Sequence, residues 1–154
     1  LNDFLPVDIP ILKSLRYQRR RKDGKIAAWA LGGVKNVDLP YFIEDKTPIA
    51  CRMPLGNHTN HVNGASGLRS LNLAAKDSLQ SACYFSALSS SSIKEYKKDC
   101  LQITVGDVII DFSERTKAVG AFSLDIYYNG HDPVMLDARK TYGVRIRLVP
   151  INNG

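Results

Sequence analysis

Two histidines, His58 and His61, stand in an H-x-x-H pattern, and a third, His131, precedes Asp132. That spacing serves zinc when a helix holds both rings on one face and further ligands join them. Here the pair falls in 57–67, a stretch rich in Asn, Gly and His that reads as an exposed loop, and nothing in the spacing brings His131 or Cys51 to it. No metal is expected, and a small hydrolase built on His58, His61 or His131 is the weakest of the functional readings. Carboxylates pair as Glu44-Asp45 and as Asp107 with Asp111. General acid–base work needs two such groups in one cleft with separated pKa values, and acids in turns read as surface charge. Gly64-Ala-Ser-Gly67 lacks the G-x-S-x-G spacing of a strained nucleophile turn. Neither G-x-x-x-x-G-K-[ST] nor G-x-G-x-x-G occurs, so no phosphate-cradling loop of those kinds is expected. The sequence therefore predicts no catalytic residue, no cofactor and no enzyme. Cys51, Cys83 and Cys100 are odd in number and form no C-x-x-C pair, which argues against a disulfide framework and for a reducing compartment. Asn57-His-Thr59 fits the glycosylation pattern, which matters only for a secreted chain.

The chemistry with the best claim is ionic. Between positions 13 and 25 lie seven cations, Lys13, Arg16, Arg19, Arg20, Arg21, Lys22 and Lys25, against one acid, Asp23. The net charge of the chain is +6, from 21 basic and 15 acidic residues, so the remainder cancels and the whole excess belongs to this segment. Cations this dense repel one another unless solvent, phosphate or acidic headgroups lie close. Tyr17 stands among them as a single aromatic able to stack on a base. The same composition serves a nuclear-localisation signal or a polybasic membrane patch. Arg145 and Arg147, alternating with apolar residues near the C-terminus, form a second basic strip, and Asp125 on the preceding strand is positioned to pair with one of them.

The elements that must hold these groups follow from apolar periodicity. Leu5, Val7, Ile9 and Ile11 alternate with Pro6, Asp8 and Pro10, an extended segment with one edge stripped of donors. It suits an edge strand or an arm that self-associates by lying along a second copy. Ile26–Leu31 reads as a buried strand and 48–55 as another. Leu68, Leu71, Ala75, Leu79 and Ala82 recur at spacings of three and four, which predicts a helix from an N-cap at Ser66 to about Leu88. Ser92-Ile-Lys-Glu95 has capping-box spacing and predicts a second, short helix. Leu101, Ile103 and Val105, then Val108, Ile110 and Phe112, flank Gly106-Asp107 as a hairpin. Phe122–Tyr128 and Tyr142–Leu148 complete the strands, and Asn129-Gly130 marks a turn.

These elements give an α+β fold: a mainly antiparallel sheet or sandwich-like core, a central helical insertion and an extended N-terminal arm. At 154 residues and 44% hydrophobic, the chain has room for one ordinary domain. The division expected is 1–25 as arm plus basic segment and 26–154 as a single α+β domain. No run approaches the roughly 18 apolar residues of a membrane span. A chain opening on Leu1 reads as a fragment or processed product. The leading functional expectation is a non-enzymatic structural or assembly protein of the viral matrix or coat type. It would be a homo-oligomer binding nucleic acid, a ribonucleoprotein or an acidic membrane through Lys13–Lys25. A monomeric RNA- or DNA-binding module is the alternative. An intracellular location, cytoplasmic or nuclear, is expected, or for a viral subunit the virion or the inner membrane surface.

Overall fold

Strand pairing divides the chain between two sheets. The structure, a computed structural model, describes residues 8–35, 39–53, 56–97, 100–115 and 119–151. The smaller sheet has three strands in the order β1-β2-β3, with β1 Leu15–Arg20, β2 Ile26–Gly32 and β3 Phe42–Asp45, all antiparallel. Residues 21–25 turn the chain between β1 and β2: the Arg21 amide donates to the Lys25 carbonyl and the Gly24 amide to the Arg21 carbonyl. Gly24 takes φ +80° there, a left-handed value that favours glycine.

The larger sheet comprises β4 Ala65–Ala75, β5 Ile93–Lys97, β6 Cys100–Val105, β7 Val108–Glu114, β8 Gly120–Tyr128, β9 Val134–Met135 and β10 Arg145–Pro150. Its order is β5-β6-β7-β4-β8-β10-β9. The fold is α+β, as expected, with the sheet mixed: β4 runs parallel to β7 and β8 parallel to β10. The Gly106-Asp107 hairpin forms, with Val105 paired to Val108 and Gly106 at φ +58°. Asp107 is absent from the positive-φ residues, so the turn has the type II′ pattern.

One α-helix, α1 Ser78–Ser89, lies on the larger sheet among the described residues. Its N-cap is Asp77, whose carboxylate accepts from the Gln80 amide at 2.8 Å. The helix expected from Ser66 to Leu88 is therefore a strand followed by a shorter helix. Leu71, Leu73 and Ala75 repeat at two, and β4 is flanked by β7 and β8, so backbone pairing on both sides overrides the three-four spacing. Likewise 93–97 pairs with β6 rather than forming a helix. In place of a strand over 48–55 the structure has a 3₁₀ turn, Ile49–Cys51, which begins after Pro48, and the nearby strand β3 ends before it at Asp45; residues 54 and 55 lie outside the described set.

Leu73, Ala82, Phe85, Ile103, Ile110 and Phe112 form the core between α1 and the larger sheet. Phe42 of β3 meets Phe85 with ring centroids 5.7 Å apart, and Phe85 meets Phe112 at 5.8 Å. This aromatic chain ties the smaller sheet to the helix. Of the arm, Leu5 and Val7 lie outside the described residues. Ile9 is half-buried, Ile11 is 59% exposed and bridges Val34, and backbone bonds join Leu12 to Gly33 and Lys35 to Pro10.

Candidate functional site

Parity along the strands sorts the larger sheet's side chains onto two faces. Leu71, Leu73, Ile103, Ile110 and Phe112 point to α1. The residues between them point the other way, onto a face that no α-helix covers among the described residues. On that open face Gln102, Asp111, Asn72, Ser123 and Arg145 occupy one register row across β6, β7, β4, β8 and β10. The next row contains Ile109, Ser70, Asp125, Arg147 and Met135. Asp111, Asn72, Ser123 and Arg145 of the first row and Ser70, Asp125, Arg147 and Met135 of the second line a cleft of 340 Å³.

Charge and hydrogen bonding divide the cleft into committed and available groups. Arg147 Nε donates to Asp125 Oδ1 at 3.0 Å and its Nη2 donates to Oδ2, a two-point contact across the directly paired positions of β8 and β10. The Asp125 hydrogen bonds push the Arg147 pKa up. Gln102 Nε2 donates to Asp111 Oδ1 at 2.8 Å, fixing that carboxylate. Arg145 has no ion-pair partner among the described residues. One unpaired guanidinium thus faces one anchored carboxylate across Asn72 and Ser123, three strand spacings or about 14 Å at the backbone. Ser70 is buried and Asp125 exposes 18% of its side chain, so the floor is partly withdrawn from water.

The seven cations of 13–25 lie on and beside the smaller sheet. Every residue of β1 is exposed. Arg19 Nη2 donates to the Arg52 carbonyl at 3.0 Å, and Arg21 Nη1 donates to the Ala50 carbonyl at 2.7 Å. Arg21 also pairs with Asp23 at 3.3 Å. Arg52 in turn grips Asp45 at 2.6 and 2.8 Å, and this contact holds the Asp45 carboxyl below its ordinary pKa. Lys13, Arg16, Arg20, Lys22 and Lys25 have no side-chain partner among the described residues. A second cleft, of 430 Å³, lies between Arg19–Asp23 and Cys51-Arg52.

Other candidates are dispersed. His61 and His131 are exposed, and the His58 side chain lies outside the described set. No group of three or more His, Cys, Asp or Glu side chains converges among the described residues. Asp107 occupies the hairpin turn while Asp111 is mid-strand, and Glu44 and Asp45 point to opposite faces of β3. The three cysteines are free and half-buried, and burial raises the Cys83 thiol pKa. Among the described residues no helix is long and apolar enough to cross a membrane. The open-face groups Gln102, Asn72 and Ser123 escape motif reasoning, because their signal is a lone polar residue at alternate parity within an apolar strand.

The fold resembles a crystal structure of a hypothetical protein from Staphylococcus aureus, with TM-score 0.69 and 15% identity, over 93% of this chain. The chain spans 57% of that protein's length. A methylmalonyl-CoA epimerase from Mycobacterium tuberculosis overlaps loosely, with TM-score 0.46 and 10% identity, over 58% of this chain and 91% of the other. No family model and no curated protein matches the sequence. The first likeness establishes shared architecture and the mixed α+β sheet.

Proposed function

We propose that the chain binds a small polar organic acid on the open face of the larger sheet. Arg145 takes the oxyanion, Asn72 and Ser123 hydrogen-bond the body of the ligand, and Asp111 accepts from its donor groups. The observation that carries this reading is the single register row Asp111–Asn72–Ser123–Arg145 along a cleft of 340 Å³, with Gln102 anchoring Asp111 at its end. A merely solvated sheet face would also be polar. Two features favour a site: the partial withdrawal of Ser70 and Asp125 from water, and the Asp125 clamp that holds Arg147 beside Arg145.

Titrating a panel of small mono- and dicarboxylates into isotope-labelled protein tests it. At least one acid should shift the Asn72 side-chain amide and the β8–β10 backbone signals, and Arg145→Gln should remove the response while leaving the melting curve unchanged. A panel that leaves those signals still, or shifts that persist in Arg145→Gln, refutes the reading. Self-association through Leu5, Val7, Ile9 and Ile11 is a separate proposal, checked by sizing the full chain across a concentration series.

A further inference from the structure

The outer face of the smaller sheet carries a second site, built from different residues. Antiparallel pairing places Tyr17 opposite Trp29, and the two rings stack with centroids 6.1 Å apart and planes 17° from parallel. Tyr17 remains 43% exposed. Arg19 shares that face, two positions along β1, with Asp45 beside Trp29 on β3 and Arg52 clamped to Asp45. The 430 Å³ cleft begins at Arg19, two positions along β1 from Tyr17, and Arg20 and Lys22 line it with no side-chain partner among the described residues. Arg19, Arg21 and Arg52 are already oriented by carbonyl and carboxylate contacts, so their charge is fixed in place before any ligand arrives.

We propose that this face binds single-stranded nucleic acid, with a base stacked on the Tyr17–Trp29 pair and the adjoining phosphates held at the cleft by Arg19, Arg20 and Lys22. An exposed aromatic platform beside a cationic groove is what a flexible strand needs. Stacking holds the base whatever its identity, and the groove neutralises the backbone. The distribution of charge argues against an acidic membrane as the partner. Along β1, Arg16 alternates to the side opposite Tyr17 and Arg19, while Arg20 and Lys22 line the cleft at the hairpin end, so a flat lipid surface would reach only part of the charge. A flexible strand can follow both the platform and the hairpin end.

Trp29 is the chain's single tryptophan, so its emission reports on the platform without labelling. Adding a short oligouridylate at low salt to the full chain should quench that emission, whereas inorganic polyphosphate, which has charge and no bases, should leave it unchanged. Tyr17→Ala should weaken binding of the labelled oligonucleotide about 5- to 100-fold, with Tyr17→Phe near the parent. Arg20→Gln with Lys22→Gln, neither of which has a side-chain partner among the described residues, should reduce the slope of log K against log salt by about 0.7 for each phosphate contact removed. Unchanged Trp29 emission, equal quenching by polyphosphate, or a salt slope the double variant does not alter overturns the proposal. So does tighter binding to phosphatidylserine vesicles that is lost in the same double variant, which would assign the charge to a lipid surface. Because Tyr17 also packs on Trp29, the urea midpoint of Tyr17→Ala is read alongside its binding. Lost binding with a kept midpoint assigns the ring to the base, a midpoint that falls in step with binding assigns it to support of the hairpin and overturns the stacking role, and Tyr17→Phe tests the hydroxyl alone.

Discussion

Asp111 and Phe112 are neighbours on β7 whose side chains serve opposite faces, so changing them should have unlike consequences. Phe112 is 0% exposed and lies between Ile103, Ile110 and Leu73 of the sheet and Phe85 of α1. Truncation to alanine removes a whole ring from a packed cluster, a change that costs about 3–5 kcal/mol. Asp111→Asn keeps the shape and an oxygen to accept from Gln102, losing only the charge in that bond. The difference between charged and neutral hydrogen bonds is about 1 kcal/mol, and water reaching this half-buried position reduces it further. Urea unfolding, followed by far-ultraviolet circular dichroism and by Trp29 emission, reads both. With a slope of about 2 kcal/mol per molar urea, Phe112→Ala should lower the midpoint by about 2 M and Asp111→Asn by less than about 0.5 M. A loss of equal size in Asp111→Asn would mean that the open face is packed interior and no cleft. An unmoved midpoint in Phe112→Ala would mean that α1 does not cover the sheet at Ile103, Ile110 and Phe112.

Ser81 is 1% exposed and its hydroxyl has no partner among the described residues, so Ser81→Ala should stabilise the fold by about 1 kcal/mol, visible as a higher urea midpoint. Gly106 turns the β6–β7 hairpin at φ +58° with open space where a Cβ would go, so Gly106→Ala should cost about 1–2 kcal/mol through backbone strain alone, and an unchanged thermal midpoint would count against the turn type. The Asp45 carboxyl titrates below its ordinary value of 3.8 because Arg52 hydrogen-bonds it, so the pair's contribution is present above that pH and is lost as pH falls through the lowered value. Acid unfolding of Arg52→Gln should therefore begin at higher pH than in the parent, and coincident acid transitions would remove Asp45 as the cause.

The parts of the fold that could be read from sequence are those decided within a few residues. Gly106-Asp107 joins strands that pair immediately on either side, so turn chemistry and alternation point to the same hairpin. β4 was not readable in that way. Its apolar residues Leu68, Leu71 and Ala75, taken with Leu79 and Ala82, satisfy a helical period, and only pairing with β7 and β8, both far along the chain, selects the period of two through Leu71, Leu73 and Ala75. The parallel pairs β4–β7 and β8–β10 have no tight turn to announce them. Local signals at Ser66 and Ser92 were therefore overruled by partners that those signals do not encode.

The same distinction governs the sites. Counting charge along the chain locates 13–25, because an excess of cations needs no register to be seen, yet it does not separate Arg21, spent on backbone carbonyls, from Arg20 and Lys22. Parity alone places Asp125 outward on β8 and Arg147 outward on β10, and since those strands are neighbours the pair forms. The open-face row requires more: Asn72, Asp111, Ser123 and Arg145 each look ordinary in their own strand, and become a site only when four registers align them. Parity decides which face a residue serves, whereas register decides which residues it meets. A one-residue slip of β10 against β8 would carry Arg145 and Arg147 off the open face and put Ile146 and Leu148 in their place. Burial of Leu148 at 4% exposure opposes that slip, so the apolar half of the last strand holds its guanidiniums over the cleft.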